Sequence, residues 1–294
     1  MANLHSQFKK FEERISLSST QKDLIVKRHS ALRTVITNYF KQKNGVPIPD
    51  FFIQGSYKMN TMVQKKDGSF DVDLGVYFPQ KPSLTPTTMQ SNVLEAVKNQ
   101  TTSGAQHLKK CIRVNYVGEF NADLPVYYQV GSNGQAYIAV KNGDWVKDDP
   151  EKFVNWVNDN RKSKEIGNDG QLLRVIKYLK RWANLLPFKT PSGVALTVWA
   201  CKNFSASRDR DDDALSKTIN NMYSSFTGFF GSVSCQCPVE PFDDLVSNLD
   251  SNQKDKFKEA LGKLKDDAAR ALDASDTNTA VSYLSKHLGD KFKL

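Results

Sequence analysis

The chain has 294 residues, 39% hydrophobic and 25% charged, with a formal net charge of +9. That length supports one large domain or two lobes with ample core, and the composition is that of an ordinary globular protein. No apolar run approaches the ~20 residues of a membrane span, the opening Met1-Ala2-Asn3-Leu4-His5-Ser6 has no signal-peptide stretch, and four cysteines with four scattered histidines argue against a zinc site. A cytoplasmic protein is expected, and its positive charge favours anionic partners such as nucleotides, phosphates or nucleic acid, with solubility as the plain alternative.

Ser18 and Gln21 stand at capping-box spacing and open a helix. Leu24, Ile25, Leu32, Val35, Ile36, Tyr39 and Phe40 then recur at helical intervals as far as Asn44-Gly45. Gly45-Val46-Pro47-Ile48-Pro49 ends it and leads into extended chain. From about residue 50 to 141 the pattern is mainly strand, clearest at 70–78, 111–117, 121–130 and 136–140, with a helix near 87–100. Gly131-Ser132-Asn133-Gly134 suggests a hairpin turn. After Asp148-Asp149-Pro150 the character becomes helical, with helices expected around 172–182, 194–204, 214–230, 252–273 and 277–288, and an acidic exposed turn at Asp209–Asp213. The fold class expected is α+β in two lobes. Residues 1–145 would form a long N-terminal helix plus a mixed-sheet lobe, and residues 146–294 an all-helical lobe.

The chemistry concentrates in Gly55-Ser56 followed by Asp71-Val72-Asp73. Residues two apart on a strand share a face, so Asp71 and Asp73 converge while Val72 and Leu74 turn to the core. Adjacent carboxylates repel unless a cation or proton intervenes, and oxygen ligands suit Mg²⁺ with substrate phosphates. Asp123, in the strand-like run Asn121-Ala122-Asp123-Leu124-Pro125-Val126-Tyr127, supplies a third acid if its strand lies beside the first. Three acids can hold two ions that align an attacking hydroxyl, a phosphorus and a pyrophosphate leaving group. Gly55 lets a phosphate approach the backbone and Ser56 adds a hydroxyl, with Met59–Val63 as a candidate short helix aiming its N–H groups at the same anion. Alone, Gly-Ser is an ordinary turn and Asp123 a strand-end residue; together with Asp-x-Asp they form one constellation.

This constellation resembles the polymerase-β type nucleotidyltransferase signature. The fuller text, Gln54-Gly55-Ser56-Tyr57-Lys58-Met59-Asn60-Thr61 with Asp71-Val72-Asp73-Leu74-Gly75-Val76-Tyr77-Phe78 and Ala122-Asp123-Leu124-Pro125-Val126-Tyr127, resembles the bacterial cyclic GMP-AMP synthase-like nucleotidyltransferases of CBASS anti-phage defence, kin to oligoadenylate synthases. The resemblance spans nearly the whole chain; its loop from Ser56 to Asp71 is slightly longer than the superfamily pattern, with the excess at Lys65–Ser69. It implies a polymerase-β-like fold and a template-independent enzyme joining NTPs, ATP and GTP favoured, into a cyclic oligonucleotide with two Mg²⁺ ions, for which Mn²⁺ can substitute. A purine cyclic dinucleotide is the favoured product and a trinucleotide the alternative. Asp71, Asp73 and Asp123 are implied metal ligands, Lys177 and Ser192 implied triphosphate contacts beside Gly55 and Ser56, and Lys180 and Arg181 weaker candidates. Read from the residues alone, Lys177 is a solvated helix lysine and Ser192 an N-cap; Arg113 either reaches the acceptor nucleotide or forms a structural salt bridge.

The resemblance also implies a downstream effector that binds the product. Conjugation to a ubiquitin-like partner is doubtful, because Lys291-Phe292-Lys293-Leu294 is not a small-residue tail. With no Cys/His insert of the animal-sensor type, a double-stranded nucleic-acid activator is not favoured. The competing readings are a linear oligonucleotide synthase, an RNA nucleotidyltransferase, and an inactive relative that binds nucleic acid through its charge.

Overall fold

The structure, a computed structural model, describes residues 2–131, 134–228 and 231–293. In chain order its elements are α1 (His5–Ile15), α2 (Ser19–Lys41), β1 (Asp50–Gln54), α3 (Gly55–Lys58), β2 (Asp71–Phe78), α4 (Pro86–Val97), β3 (Ala105–His107), β4 (Ile112–Tyr116), β5 (Phe120–Leu124), β6 (Val126–Gln129), β7 (Ala136–Ala139), β8 (Trp145–Lys147), α5 (Pro150–Lys164), α6 (Gln171–Leu185), α7 (Gly193–Asn203), α8 (Asp211–Thr227), α9 (Ser251–Asp273) and α10 (Thr277–Leu288), closed by a 3-10 turn at Asp290–Phe292.

β2 is the central strand. β1 runs antiparallel along one side of it, with Gln54 opposite Asp73. The other side is lined in parallel by β5 and then β6, so that Asp73 faces Asp123 and Val76 faces Val126. Pro125 divides what the sequence presents as one strand; it has no N–H to give the ladder, but its carbonyl accepts the Val76 N–H at 2.9 Å, so β2 stays paired across the break. β4 and β3 extend the sheet from β5, and β7 and β8 from β6, all antiparallel. Ser132 and Asn133 of the expected turn lie outside the described residues, as do Phe229 and Phe230 of the expected 214–230 helix; β6 and β7 pair antiparallel.

Among the described residues two large cores result, beside a small cluster of Tyr77, Tyr127, Ala136 and Ile138 on the sheet. One joins the sheet to α2 and α4: Val72, Leu74 and Val76 of β2 meet Ile25, Leu32 and Ile36 of α2 and Met89 and Val93 of α4. Each such side chain, removed fully from water, contributes roughly 1.5–3 kcal/mol. The second core is helical, and α1 belongs to it, through Phe8, Phe11 and Ile15 packed with Tyr178 and Phe292. The helical lobe is thus assembled from both ends of the chain, and the sheet lobe runs from α2 to β8.

Two further differences from the sequence reading have plain causes. α5 carries clear start signals, Asp149 capping the Lys152 N–H with Pro150 in the first turn, but its polar length obscures the apolar face made by Phe153, Val154 and Val157. Asp209–Asp213 is not an exposed acidic turn. Asp211 and Asp212 are buried at the start of α8, where Asp211 accepts from Arg174, Tyr178 and Gln171, and Asp212 from the Leu4 N–H and Arg210. No helix among the described residues is long and apolar enough to cross a membrane.

Candidate active site

A cleft with a volume of about 550 Å³ lies between the two lobes. Gly55, Ser56, Asp71 and Asp73 line it from the sheet side, Lys180, Asn184, Pro191 and Gly193 from the helical side, and Cys237, Glu240 and Asp243 from the segment after α8.

Gly55 is required twice over. Its φ is +66°, a conformation few residues other than glycine tolerate, and a Cβ there would lie 2.0 Å from Asp73 Oδ2. The turn therefore rests directly on the carboxylate. The helical turn after it begins at Gly55 itself, as α3; Met59 is its C-cap and Asn60 is left-handed at φ 55°, so no helix forms over Met59–Val63.

Asp71 and Asp73 share the cleft face of β2 while Val72 and Leu74 are buried beneath. Asp123 is the parallel-register neighbour of Asp73. Among the described residues no ion pair relieves Asp73: burial, then repulsion from Asp123 and Asp71, pushes its carboxyl up to about 7. Burial alone would raise Asp71 too, but the Lys65 ammonium and the Asn121 amide at 2.9 Å hold it below the usual range. Both oxygens of Asp123 accept from Arg113, Nε and Nη2 each at 2.7 Å.

Hard carboxylate oxygens with an unrelieved negative charge fit a divalent cation, and Asp71, Asp73 and Asp123 are the residues that would hold it. As they stand, no three acidic, histidine or cysteine side chains among the described residues are gathered closely enough to do so; Asp71 is engaged by Lys65 and Asp123 by Arg113.

The far wall corrects the expected lysine. Lys177 turns away from the cleft to α1, where its ammonium meets Glu12 at 2.5 Å and Ser16 at 3.1 Å; it lines a different pocket, with Tyr57 and Asn60. Lys180 is the lysine that the helical wall presents to the cleft. Its Nζ donates to the Thr61 carbonyl at 3.3 Å and hydroxyl at 3.1 Å, and burial, with Lys177 nearby, lowers its ammonium to about 7. One helical turn separates the two lysines, and which of them faces the sheet lobe depends on how α6 is rotated, a tertiary fact. Ser192 caps α7, its Oγ accepting the Ala195 N–H at 3.2 Å, between the cleft residues Pro191 and Gly193 but not itself lining the cavity. Arg181 faces the Gln64 and Lys65 carbonyls at 3.4 Å.

The sequence also leaves unread a buried relay at the cleft's other end. Gln54 donates to the Tyr127 hydroxyl at 3.2 Å and accepts from Tyr77 at 3.1 Å, while Tyr127 donates to Asp148 at 2.9 Å. Tyr127 is the tyrosine that lines the cavity, stacked on Tyr77 with centroids 4.5 Å apart.

Residues 49–127 match the family described as "Cyclic GMP-AMP synthase DncV-like, nucleotidyltransferase domain". A cyclic GMP-AMP synthase of Escherichia albertii is 24% identical over a stretch covering 55% of this chain and 39% of that relative, so the chain spans well under half of the relative's length in that match. Among solved structures, Vibrio cholerae DncV, a cyclic AMP-GMP synthase, superposes with a TM-score of 0.82 at 14% identity over 99% of this chain and 98% of that one. The Bradyrhizobium diazoefficiens CD-NTase CdnG, in complex with GTP, gives 0.77 at 15% identity over 98% and 96%. The family match covers residues 49–127, and over nearly its whole length the chain shares the fold of these solved structures.

Proposed function

We propose that the chain is a template-independent nucleotidyltransferase that joins NTPs, with release of pyrophosphate, into a cyclic oligonucleotide, a purine cyclic dinucleotide in the first instance, acting in anti-phage signalling with an effector that binds the product. The observation that carries this reading is the pairing of Asp73 with Asp123 across parallel strands while Gly55 is pressed onto Asp73. It brings a close-approach backbone turn and the acids to one point on the cleft wall. Vibrio cholerae DncV has been solved with a linear intermediate, 5' pppA(3',5')pG, and a mutant of it in complex with ATP, GTP and 5MTHFGLU2, which favours a purine dinucleotide made in two transfers here.

In this mechanism Asp71, Asp73 and Asp123 would hold the divalent ions, which when bound lower the pKa of the attacking ribose hydroxyl and offset charge on the leaving pyrophosphate. The chain's own groups do the rest. The Gly55-Ser56 turn presents backbone and hydroxyl to the triphosphate. Lys180, held by Thr61, meets the same anion from the other lobe. The N-terminus of α7 at Ser192–Gly193 adds free N–H groups and a positive dipole end.

Incubation with all four NTPs and Mg²⁺ or Mn²⁺, followed by mass spectrometry, tests the proposal. A cyclic purine dinucleotide supports it; a linear oligomer would replace the ring with a linear product, and no turnover under any condition would remove the enzyme reading.

A further inference from the structure

Arg113 lies directly opposite Asp123 in the antiparallel register of β4 and β5. Its guanidinium grips both oxygens of Asp123 at 2.7 Å, and the same Nη2 lies 3.6 Å from Asp71 Oδ1. One planar cation thus spans two of the three carboxylates assigned to metal. Lys65 occupies the other Asp71 oxygen.

We propose that Arg113 is a resident counter-ion that competes with divalent metal for Asp123 and Asp71, so that the free protein binds metal weakly and takes it up together with the nucleotide. This rests on the reading of the three aspartates as metal holders. The argument is one of charge and valence. A carboxylate with both oxygens in a bidentate fork has its best lone pairs engaged, and an entering ion must break that fork while adding positive charge beside a guanidinium. Asp73, without a cation of its own, is the carboxylate open to the first contact. An entering triphosphate changes the balance, because its negative charge offsets the crowding of ion and guanidinium and its oxygens fill positions that Asp123 withholds. Arg113 is partly exposed, 28% on its side chain, and so has room to swing off Asp123 without unpacking the sheet.

The alternative is a positioning role, in which Arg113 holds Asp123 in the orientation a metal needs. The two differ in sign, and binding of Mn²⁺ to the intact protein without nucleotide, read as the loss of the free-ion EPR signal, separates them. Competition predicts that Arg113→Gln binds Mn²⁺ about tenfold or more tighter than the unmodified protein, the loss of a charge-assisted fork being worth that much. Arg113→Lys, which keeps the charge without the fork, falls between and covers the case in which the glutamine variant does not fold. Unchanged or weaker binding in the folded variants overturns the proposal, and if equilibrium dialysis with ATP retains excess Mn²⁺ on the side of the unmodified protein, the metal reading survives that failure. Absence of Mn²⁺ binding in every variant, with and without ATP, overturns both.

Discussion

At Gly55 one missing methyl group decides where a carboxylate sits. Gly55→Ala must both leave φ +66° and clear the 2.0 Å approach to Asp73 Oδ2, so it moves Asp73, and misplacing a reactive group by about 1 Å costs on the order of 10²-fold. We expect kcat/KM for NTP turnover to fall by at least that factor in a protein that still melts cooperatively. The two lysines of α6 give opposite phenotypes. Lys177→Met strands Glu12 in a half-buried position and lowers stability by about 1–3 kcal/mol, leaving the KM for NTP close to its starting value. Lys180→Met spares the fold and raises KM. Lys180 also sets a pH dependence. Its ammonium, lowered to about 7, is charged below that pH and neutral above it, and a bound triphosphate favours the charged form. NTP affinity therefore falls as pH rises through 7, and calorimetry at pH 8 in buffers of different ionisation enthalpy records proton uptake on binding. The acids were legible in the sequence because period-two spacing and a glycine ahead of them are local facts. Lys180 was legible only as a weaker candidate, and the grip of Arg113 on Asp123 only as one of two options, since both depend on what lies across a cleft.

Among elements, the strongly marked ones were readable: the Ser18/Gln21 capping box is formed with both of its hydrogen bonds, and α9 and α10 begin at Asp250 and Asp276 caps. α1 was not, because its three buried apolar side chains sit among Lys9, Lys10, Glu12, Glu13 and Arg14, and only the helical core that receives them reveals the face. β3 and β8 are three residues each, too short for a period to show. α2 carries a testable liability. His29 is 2% exposed, buried on this helix along with Ile25, Leu32 and Ile36, and among the described residues neither ring nitrogen has a hydrogen-bond partner. Burial, then Arg33, lowers it from 6.5 to about 4. Above pH 6.5 it is neutral in both states and stability does not change with its titration. As pH falls from 6.5 to 4 the unfolded chain takes a proton that the native state refuses, and stability is lost through that window. The melting temperature of His29→Leu should fall less steeply between pH 6.5 and 4; an identical slope would contradict the assignment.

Across the whole molecule, two cores leave a cleft between them, and each lobe supplies what the other lacks: acids and a close-approach turn from the sheet side, a buried ammonium and a helix N-terminus from the helical side. That division explains why the candidate site is read from scattered positions along the chain. The most direct test of the central claim follows label from [α-³²P]ATP with unlabelled GTP and Mg²⁺, comparing the unmodified protein with Asp73→Asn after phosphatase treatment. The account predicts label in a phosphatase-resistant product from the unmodified protein and a loss of about 10³-fold or more in the variant, as expected when several kcal/mol of metal-borne stabilisation disappear. Equal phosphatase-resistant label from both proteins, or none from either, would contradict it.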